Sequence, residues 1–504
     1  MHLFSYGIDP LLIYLEKRLK GILISSLSVQ GPFLPNSLPL APYEERYKVI
    51  GYADDVKPAV TCLSEFTLID RAMALFERAS GCKFHRNPAS QKCKFLPLAR
   101  WRGTLEQTDI PCPYMTLSDH LEMVVVELRV TWTLTRKVNG DSAQKRVTST
   151  SNHWKIGKFM HFSMRSWSMN QYGFSKVWFR THCVDLRVMD ITKITTAVKS
   201  WLYADMFIKP EEKVMYRPPY SGGLGLHNVK IKAEAGLIRT FMETACIPGF
   251  RHSQYHRMLF QYHVLEDRSF PNPGILPFYN DEFFAMIRKV HNNSPLNVAK
   301  MTEGQWYGLL LEDHVTMEEV DGQGRNYVPC RVEAACPGND WEVRWKRARL
   351  KGLGPKLTSF LFKVLHLILT TQERLSRTNP NTNAKCKAAD CPGVENEDLM
   401  HALINCPGNM GAGRVIMNQV QTFVPNMTDE MALRLQFEAE ESLEMPIVWI
   451  LAVSWMNIWE IRQSGKRPQL YNIRSDLEAK ISLLRESKRF TNDIIMIETI
   501  LYNL

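Results

Sequence analysis

The stretch Val49-Ile50-Gly51-Tyr52-Ala53-Asp54-Asp55-Val56 sets two adjacent carboxylates between β-branched and aromatic residues. Such runs on either side of an acidic pair predict two short strands meeting at a tight turn. Neighbouring side chains on a strand face opposite ways, so Asp54 and Asp55 can serve one centre only if the backbone turns between them. A hairpin tip does this. The chemistry that wants two acids at a tip is phosphoryl transfer, in which two Mg²⁺ ions about 4 Å apart clamp the attacking and leaving oxygens. A solvated Asp-Asp surface turn is the ordinary alternative, because Asp tolerates turn geometry.

Around this stretch lies a chain of 504 residues, 45% hydrophobic, long enough for several packed cores. Its formal charge of +10 favours an anionic partner, with nucleic acid ahead of a membrane surface because no Lys-rich amphipathic anchor is evident. Eleven cysteines at irregular spacing, with no signal peptide, argue for reduced thiols or a metal site, and for a cytoplasmic or nuclear setting. The most apolar run, residues 446–459, is too short for a membrane span and reads as a buried helix.

Upstream of the acidic pair, Leu11, Leu12, Leu15 and Leu19 repeat at helical spacing, and Gly21 is a stop signal. Asp9, ahead of Pro10, reads as a helix cap. A Pro-rich loop covers residues 31–42. Downstream, residues 66–79 form an amphipathic pattern closed by Ser80-Gly81. Short strands are expected at residues 82–85 and 92–96. Cys62, Cys82, Cys93 and Cys112 lack a metal-ligand spacing and read as core thiols.

Residues 121–135 alternate as a strand, with Glu127 and Arg129 on its polar face, and residues 175–187 and 191–201 read as helices. Trp167, Trp178 and Trp201 are expected in the core rather than stacked on bases. Gly222-Gly223-Leu224-Gly225 lacks the Lys-Ser/Thr of a phosphate loop, so a tight turn is expected. Residues 247–335 read as a connector with helical pieces such as 281–290.

Residues 341–377 hold nine Lys or Arg against two acids. Arg344, Lys346, Arg347, Arg349, Lys351 and Lys356 are candidates for phosphate contacts that position a nucleic acid, with a solvated helical face as the alternative. Next come Cys386, Cys391, His401 and Cys406, three thiols and an imidazole that suit a closed, structural Zn²⁺ site with the final pair on a helix over 398–404. The tail, residues 411–504, is expected to be helical and to pack on this module.

Three of these segments resemble LINE-type (non-LTR) retrotransposon reverse transcriptases, in the same order as in that family. They are Tyr52-Ala53-Asp54-Asp55, the Pro218-to-Leu226 segment ending Gly-Gly-Leu-Gly-Leu, and Glu397-Asp398-Leu399-Met400-His401-Ala402-Leu403-Ile404-Asn405-Cys406-Pro407 with its upstream cysteines. The Asp9-Pro10-Leu11-Leu12 helix and the Leu365-His366 segment resemble further parts of the family.

The resemblance implies an α+β fold. A partial polymerase palm would span 1–100, a helical thumb or connection 101–246 and a connector 247–335. The basic segment and zinc-binding module would span 336–410, with a helical tail over 411–504. It implies RNA-directed DNA polymerase activity, with Asp54 and Asp55 holding catalytic Mg²⁺, Tyr52 and Ala53 beside the primer end, and Zn²⁺ as a structural ion. The implied partners are an RNA template and a DNA target or primer. A further palm carboxylate and the fingers lie before this chain's first residue in the family pattern. The expectation is therefore an N-terminally truncated enzyme, or a non-catalytic nucleic-acid-binding remnant.

Overall fold

The computed structural model describes residues 11–20, 22–25, 44–47, 49–52, 55–81, 83–84, 86–87, 93–98, 101–123, 126–129, 131–153, 160, 162–204, 209–246, 253–265, 281–293, 298–317, 341–388, 390–393, 395–486 and 490–502. Helix predominates among them, and the strands form two-stranded sheets only. The chain divides into two compact units, each entered three times. One comprises Met1–Val147, Lys176–Ile194 and Val229–Leu311; the other comprises Thr148–Ser175, Thr195–Asn228 and Glu312–Leu504.

In the first unit residues 11–18 are helical, and Leu11, Leu15 and Leu19, one helical turn apart, are buried. Strand β1 (Ile22–Ser25) pairs antiparallel with β2 (Glu44–Tyr47), and β3 (Val49–Tyr52) with β4 (Asp55–Pro58). Tyr52 lies opposite Asp55. Only two residues separate that pair in sequence, the length of a tight hairpin connection, so the expected pair of strands is present. Ala53 and Asp54, and the side chains of Tyr52 and Asp55, lie outside the described residues, as do Asp9, Gly21 and the loop at 31–42.

The helix Ser64–Ser80 follows the amphipathic pattern and ends at Gly81, whose φ of 72° is the left-handed conformation that glycine adopts without a Cβ clash. Its Ile69 and Ala72 join Leu11, Leu15, Leu19 and Val49 in one apolar cluster, with Val56 against it. The helix thereby shares a core with β3, β4 and residues 11–18. Phe66 turns instead to Ile110, Cys112 and Tyr114. At the start of the same helix Glu65 is 2% exposed. Its carboxylate accepts the N–H groups of Lys20 (2.6 Å), Thr61 (2.6 Å) and Cys62 (3.3 Å) and the Thr61 hydroxyl (3.0 Å). Burial opposes its charge, but these donors outweigh burial and hold the carboxyl below its ordinary range.

Several expectations in this unit need correction. No strand forms at residues 83–84; Lys94–Phe95 (β5) pairs instead, in parallel, with Thr116–Leu117 (β6). Cys82, His85 and Lys92 lie outside the described residues. The strand expected over 121–135 is a hairpin of β7 (His120–Met123) and β8 (Val126–Arg129), and a helix, Trp132–His153, begins where alternation predicted more strand. Side chains of that helix occupy the edge of β8. Asn139 exchanges hydrogen bonds with the Glu127 backbone (2.7 and 3.0 Å), and the Thr135 hydroxyl accepts from the Arg129 N–H (2.9 Å). As expected, Glu127 and Arg129 share a face, where they form an ion pair. Helices occupy Ser175–Thr181 and Val188–Leu202, close to the expected pieces.

Helices Ser253–Phe260, Asp281–Asn293 and Glu303–Met317 fall within the segment read as a connector. They contribute to a core rather than merely spanning a distance: Phe283 and Phe284 each lie 5.6 Å edge-on from Phe241 of the helix Val229–Cys246. Glu303 contacts His182 and Lys232, and together these hold its carboxyl down to about 2 against burial.

The second unit is built on the helix Glu441–Gln463, in which every residue from Met445 to Trp459 is buried. Gly354–Leu365, Ala412–Phe423, Leu470–Glu486 and Thr491–Leu501 pack around it. At 23 residues it is long and apolar enough to cross a membrane by length and composition, so the length argument made from residues 446–459 does not hold; 83% of its most apolar window is buried inside the unit. A helix apolar all round is the pattern of a central core helix.

In the same unit Pro219–Ser221 makes a single 3₁₀ turn, and Gly222 and Gly225 have φ of 78° and 65°. A Cβ on Gly222 would fall 2.3 Å from the Trp345 indole. The Gly222 carbonyl accepts from His366 Nε2 (2.8 Å), and the Gly223 carbonyl accepts from the Arg349 guanidinium (2.7 Å). The glycines are the tight turn expected, and they serve close packing. The tryptophans diverge: Trp201 is buried and Trp178 half-buried, but Trp167 is 52% exposed, edge-on to Tyr172, contrary to the core reading.

Candidate metal centre and basic segment

Cys386 sits where residues 385 and 396 form an isolated antiparallel bridge, and its N–H reaches the Glu395 carbonyl (3.2 Å). The chain then turns so that Ala388 N–H points at Cys386 Sγ (3.5 Å) and Cys391 N–H at the Ala388 carbonyl (3.0 Å). This brings Cys391 back beside Cys386. The last two donors lie on a local departure from regular helix. Residues five apart on an α-helix point about 140° away from each other. Here His401–Asn405 is a single π turn, closed by Cys406 N–H on the His401 carbonyl (2.8 Å), which brings His401 and Cys406 together. The helix expected over 398–404 is corrected accordingly.

The donor atoms of Cys386, Cys391, His401 and Cys406 all lie within 4.8 Å of one another. Cys386 Sγ and Cys406 Sγ are 3.7 Å apart, and Cys391 Sγ and His401 Nε2 are 3.5 Å apart. With Zn–S near 2.3 Å and Zn–N near 2.1 Å, the edges of a tetrahedron are about 3.8 Å for S···S and about 3.6 Å for S···N. These two pairs are therefore spaced as tetrahedral zinc ligands, and the S···S distance is too long for a disulfide. His401 is 4% exposed, and its Nδ1 meets the Glu395 carboxylate at 2.9 Å. With Nδ1–H given to that acid, Nε2 is left with its lone pair free beside Cys391 Sγ, the carboxylate–histidine arrangement common at metal sites. Burial pushes the Cys386 thiol up from its ordinary value, so a divalent cation is what would make a thiolate the stable form here. The quartet can hold a zinc ion.

Residues that spacing alone did not single out complete the site. Asp398 caps the His401 N–H (2.7 Å). Arg462, near the end of the helix Glu441–Gln463, reaches Cys386 Sγ (3.4 Å), Glu397 (2.9 Å) and Asn409 (2.8 Å). Asn409 in turn donates to the Ala402 carbonyl (2.9 Å). Arg467 pairs with Asp390 at 2.8 Å. The tail thus packs on the module, as expected. Glu397 stood within the quoted motif, but Arg462 is 76 positions from Cys386 and carries no local signal.

The basic segment divides into inward and outward cations. Arg344 is 1% exposed, stacked over Trp341 and bonded to Gln436. Arg347 is buried on Glu444 (2.7 Å) and the Leu435 carbonyl (2.8 Å). Arg349 is spent on the glycine turn. These three hold the unit together, a use of the guanidinium fork that charge density alone does not distinguish from phosphate binding. Lys346, Lys351 and Lys356 are exposed, and Lys356 pairs with Glu460 at 2.7 Å.

Asp54 and Asp55, the candidate Mg²⁺ ligands, belong to the first unit, and the four zinc-type donors belong to the second. No family model matches the sequence, and no curated protein matches it.

Proposed function

We propose that this chain is a LINE-type reverse transcriptase, extending a DNA 3′-OH along an RNA template. In this reading Asp54 and Asp55 bind the catalytic Mg²⁺ ions and Tyr52 and Ala53 lie beside the primer end. Lys346, Lys351 and Lys356 contact the phosphates of RNA or target DNA, and Zn²⁺ fixes the module that follows them. The family's palm, thumb and connection belong to the same reading. The observation that carries it is the β3–β4 register, which closes on Tyr52 opposite Asp55 at the one Tyr-Ala-Asp-Asp stretch of the chain.

A non-catalytic nucleic-acid-binding role is the second reading. It is favoured by the placement of the zinc-type quartet and the exposed lysines in the unit that does not contain Asp54 and Asp55. Primer extension on an RNA template with Mg²⁺ or Mn²⁺ separates the two. Product that disappears in Asp55→Asn supports the polymerase. Template binding without product assigns the second reading, and neither binding nor product refutes both.

A further inference from the structure

The guanidinium of Arg462 is 7% exposed and has three partners from three parts of the metal module. These are Cys386 Sγ at 3.4 Å, the 8%-exposed Glu397 carboxylate at 2.9 Å and Asn409 Oδ1 at 2.8 Å. A salt bridge explains only one of them. A Cys₃His site around Zn²⁺ carries a net charge of −1, and Glu397 adds another negative charge in the same buried volume. Arg462 is a cation in direct contact with both. An N–H donated to a ligating sulfur also draws electron density from it, which stabilises the thiolate against protonation and spreads the excess negative charge of the site. The fork geometry matters, because one planar group spans a sulfur, a carboxylate and an amide that a point charge cannot reach together.

We infer that Arg462 is a positioning residue of the metal centre, delivered by the helix Glu441–Gln463, whose hydrogen bond to the Cys386 sulfur tunes metal affinity and ties that helix to the bound ion. The inference rests on the metal reading above. Asn409 extends the tie, since its own amide holds the Ala402 carbonyl in the π turn between His401 and Cys406. Metal loss therefore releases a contact to the core helix, and disturbance of that helix is felt at the metal.

The test uses the full chain with Zn²⁺ and, separately, Co²⁺, in wild type, Arg462→Gln and Arg462→Lys. Competition against a chromophoric chelator should show Zn²⁺ held about 10- to 100-fold more weakly in Arg462→Gln, with Arg462→Lys between it and wild type. In the Co²⁺ forms the sulfur-to-metal charge-transfer band should move to longer wavelength in Arg462→Gln, while the ligand-field bands keep their tetrahedral pattern. A packing role would not move that band. Wild-type affinity and an unshifted band in both variants overturn the inference and leave the zinc site standing. Loss of helical circular dichroism in both variants at saturating Zn²⁺ assigns Arg462 to the core and also overturns it. A wild-type chain that binds neither ion removes the metal reading together with the inference.

Discussion

Replacing Glu65 with Gln tests the clamp that holds residues 11–20, the exit from β4 and the helix Ser64–Ser80 together. The carboxylate takes four donors, two of them backbone N–H groups at 2.6 Å, and is 2% exposed. A glutamine keeps one oxygen, so its amide must turn an N–H toward a donor of Lys20 or Thr61. One bond to a charged acceptor is lost and the others become neutral. Bonds to charged groups contribute about 1.5–3 kcal/mol and neutral ones about 0.5–1.5 kcal/mol, so one lost and three weakened sum to about 6 kcal/mol; relief of the cost of burying the charge offsets roughly half, leaving an expected loss of about 3 kcal/mol. Native-state hydrogen exchange over Ser64–Ser80 reads this unit alone, and its slowest amides should exchange about 150-fold faster at neutral pH.

The pH dependence follows from the direction of the shift. Because the folded carboxyl titrates below its ordinary 4.5, its stabilisation is complete above that pH and is lost as pH falls through the folded value. The gap between wild type and Glu65→Gln should therefore narrow only below pH 4.5. Unchanged protection in Glu65→Gln, or a gap that stays constant into the acid range, refutes the clamp.

Cys391→Ser should lower bound zinc from one per chain to near none by metal analysis; equal zinc in both proteins refutes the quartet. Gly222→Ala forces a Cβ into the Trp345 indole at a positive φ, and the conformational cost alone is about 1–2 kcal/mol. It should lower the denaturation midpoint of the unit containing Trp345, and an unchanged midpoint would mean that the turn does not pack as described. Changing Lys346, Lys351 and Lys356 together to Ala should reduce the salt dependence of nucleic-acid binding by about two to three units of log–log slope. The same change at Arg344 and Arg347 should unfold the unit instead of altering the slope, and thermal melts distinguish the two outcomes.

Local chemistry was legible where one residue type dictates the backbone. The helix Ser64–Ser80 and its Gly81 stop, the strands on either side of Ala53-Asp54, the turn at Gly222 and the metal-ligand spacing all followed from short-range rules. What escaped was set by distant partners. The helix Trp132–His153 has almost no amphipathic periodicity, and it forms where Asn139 and Thr135 can cap the edge of β8. Arg344, Arg347 and Arg349 looked like a basic surface because sequence does not reveal that Gln436, Glu444 and the Gly223 carbonyl wait for them. The same blindness hid Arg462 from the metal site.

The interleaving of the two units sets an order for their birth. During synthesis the first unit is complete only when Leu311 has emerged, and by then Thr148–Ser175 and Thr195–Asn228 are already made but belong to the other. Leu224, almost fully buried in the finished protein, and the glycine turn before it must wait through more than a hundred further residues for Trp345, Arg349 and His366 to arrive. Non-local closure of this kind is slow and leaves apolar surface open to association in the interval. Nascent chains stopped at Leu311 should accordingly be cut by protease within 209–228, where full-length protein resists. A cell making this protein must shield its middle before its last third can.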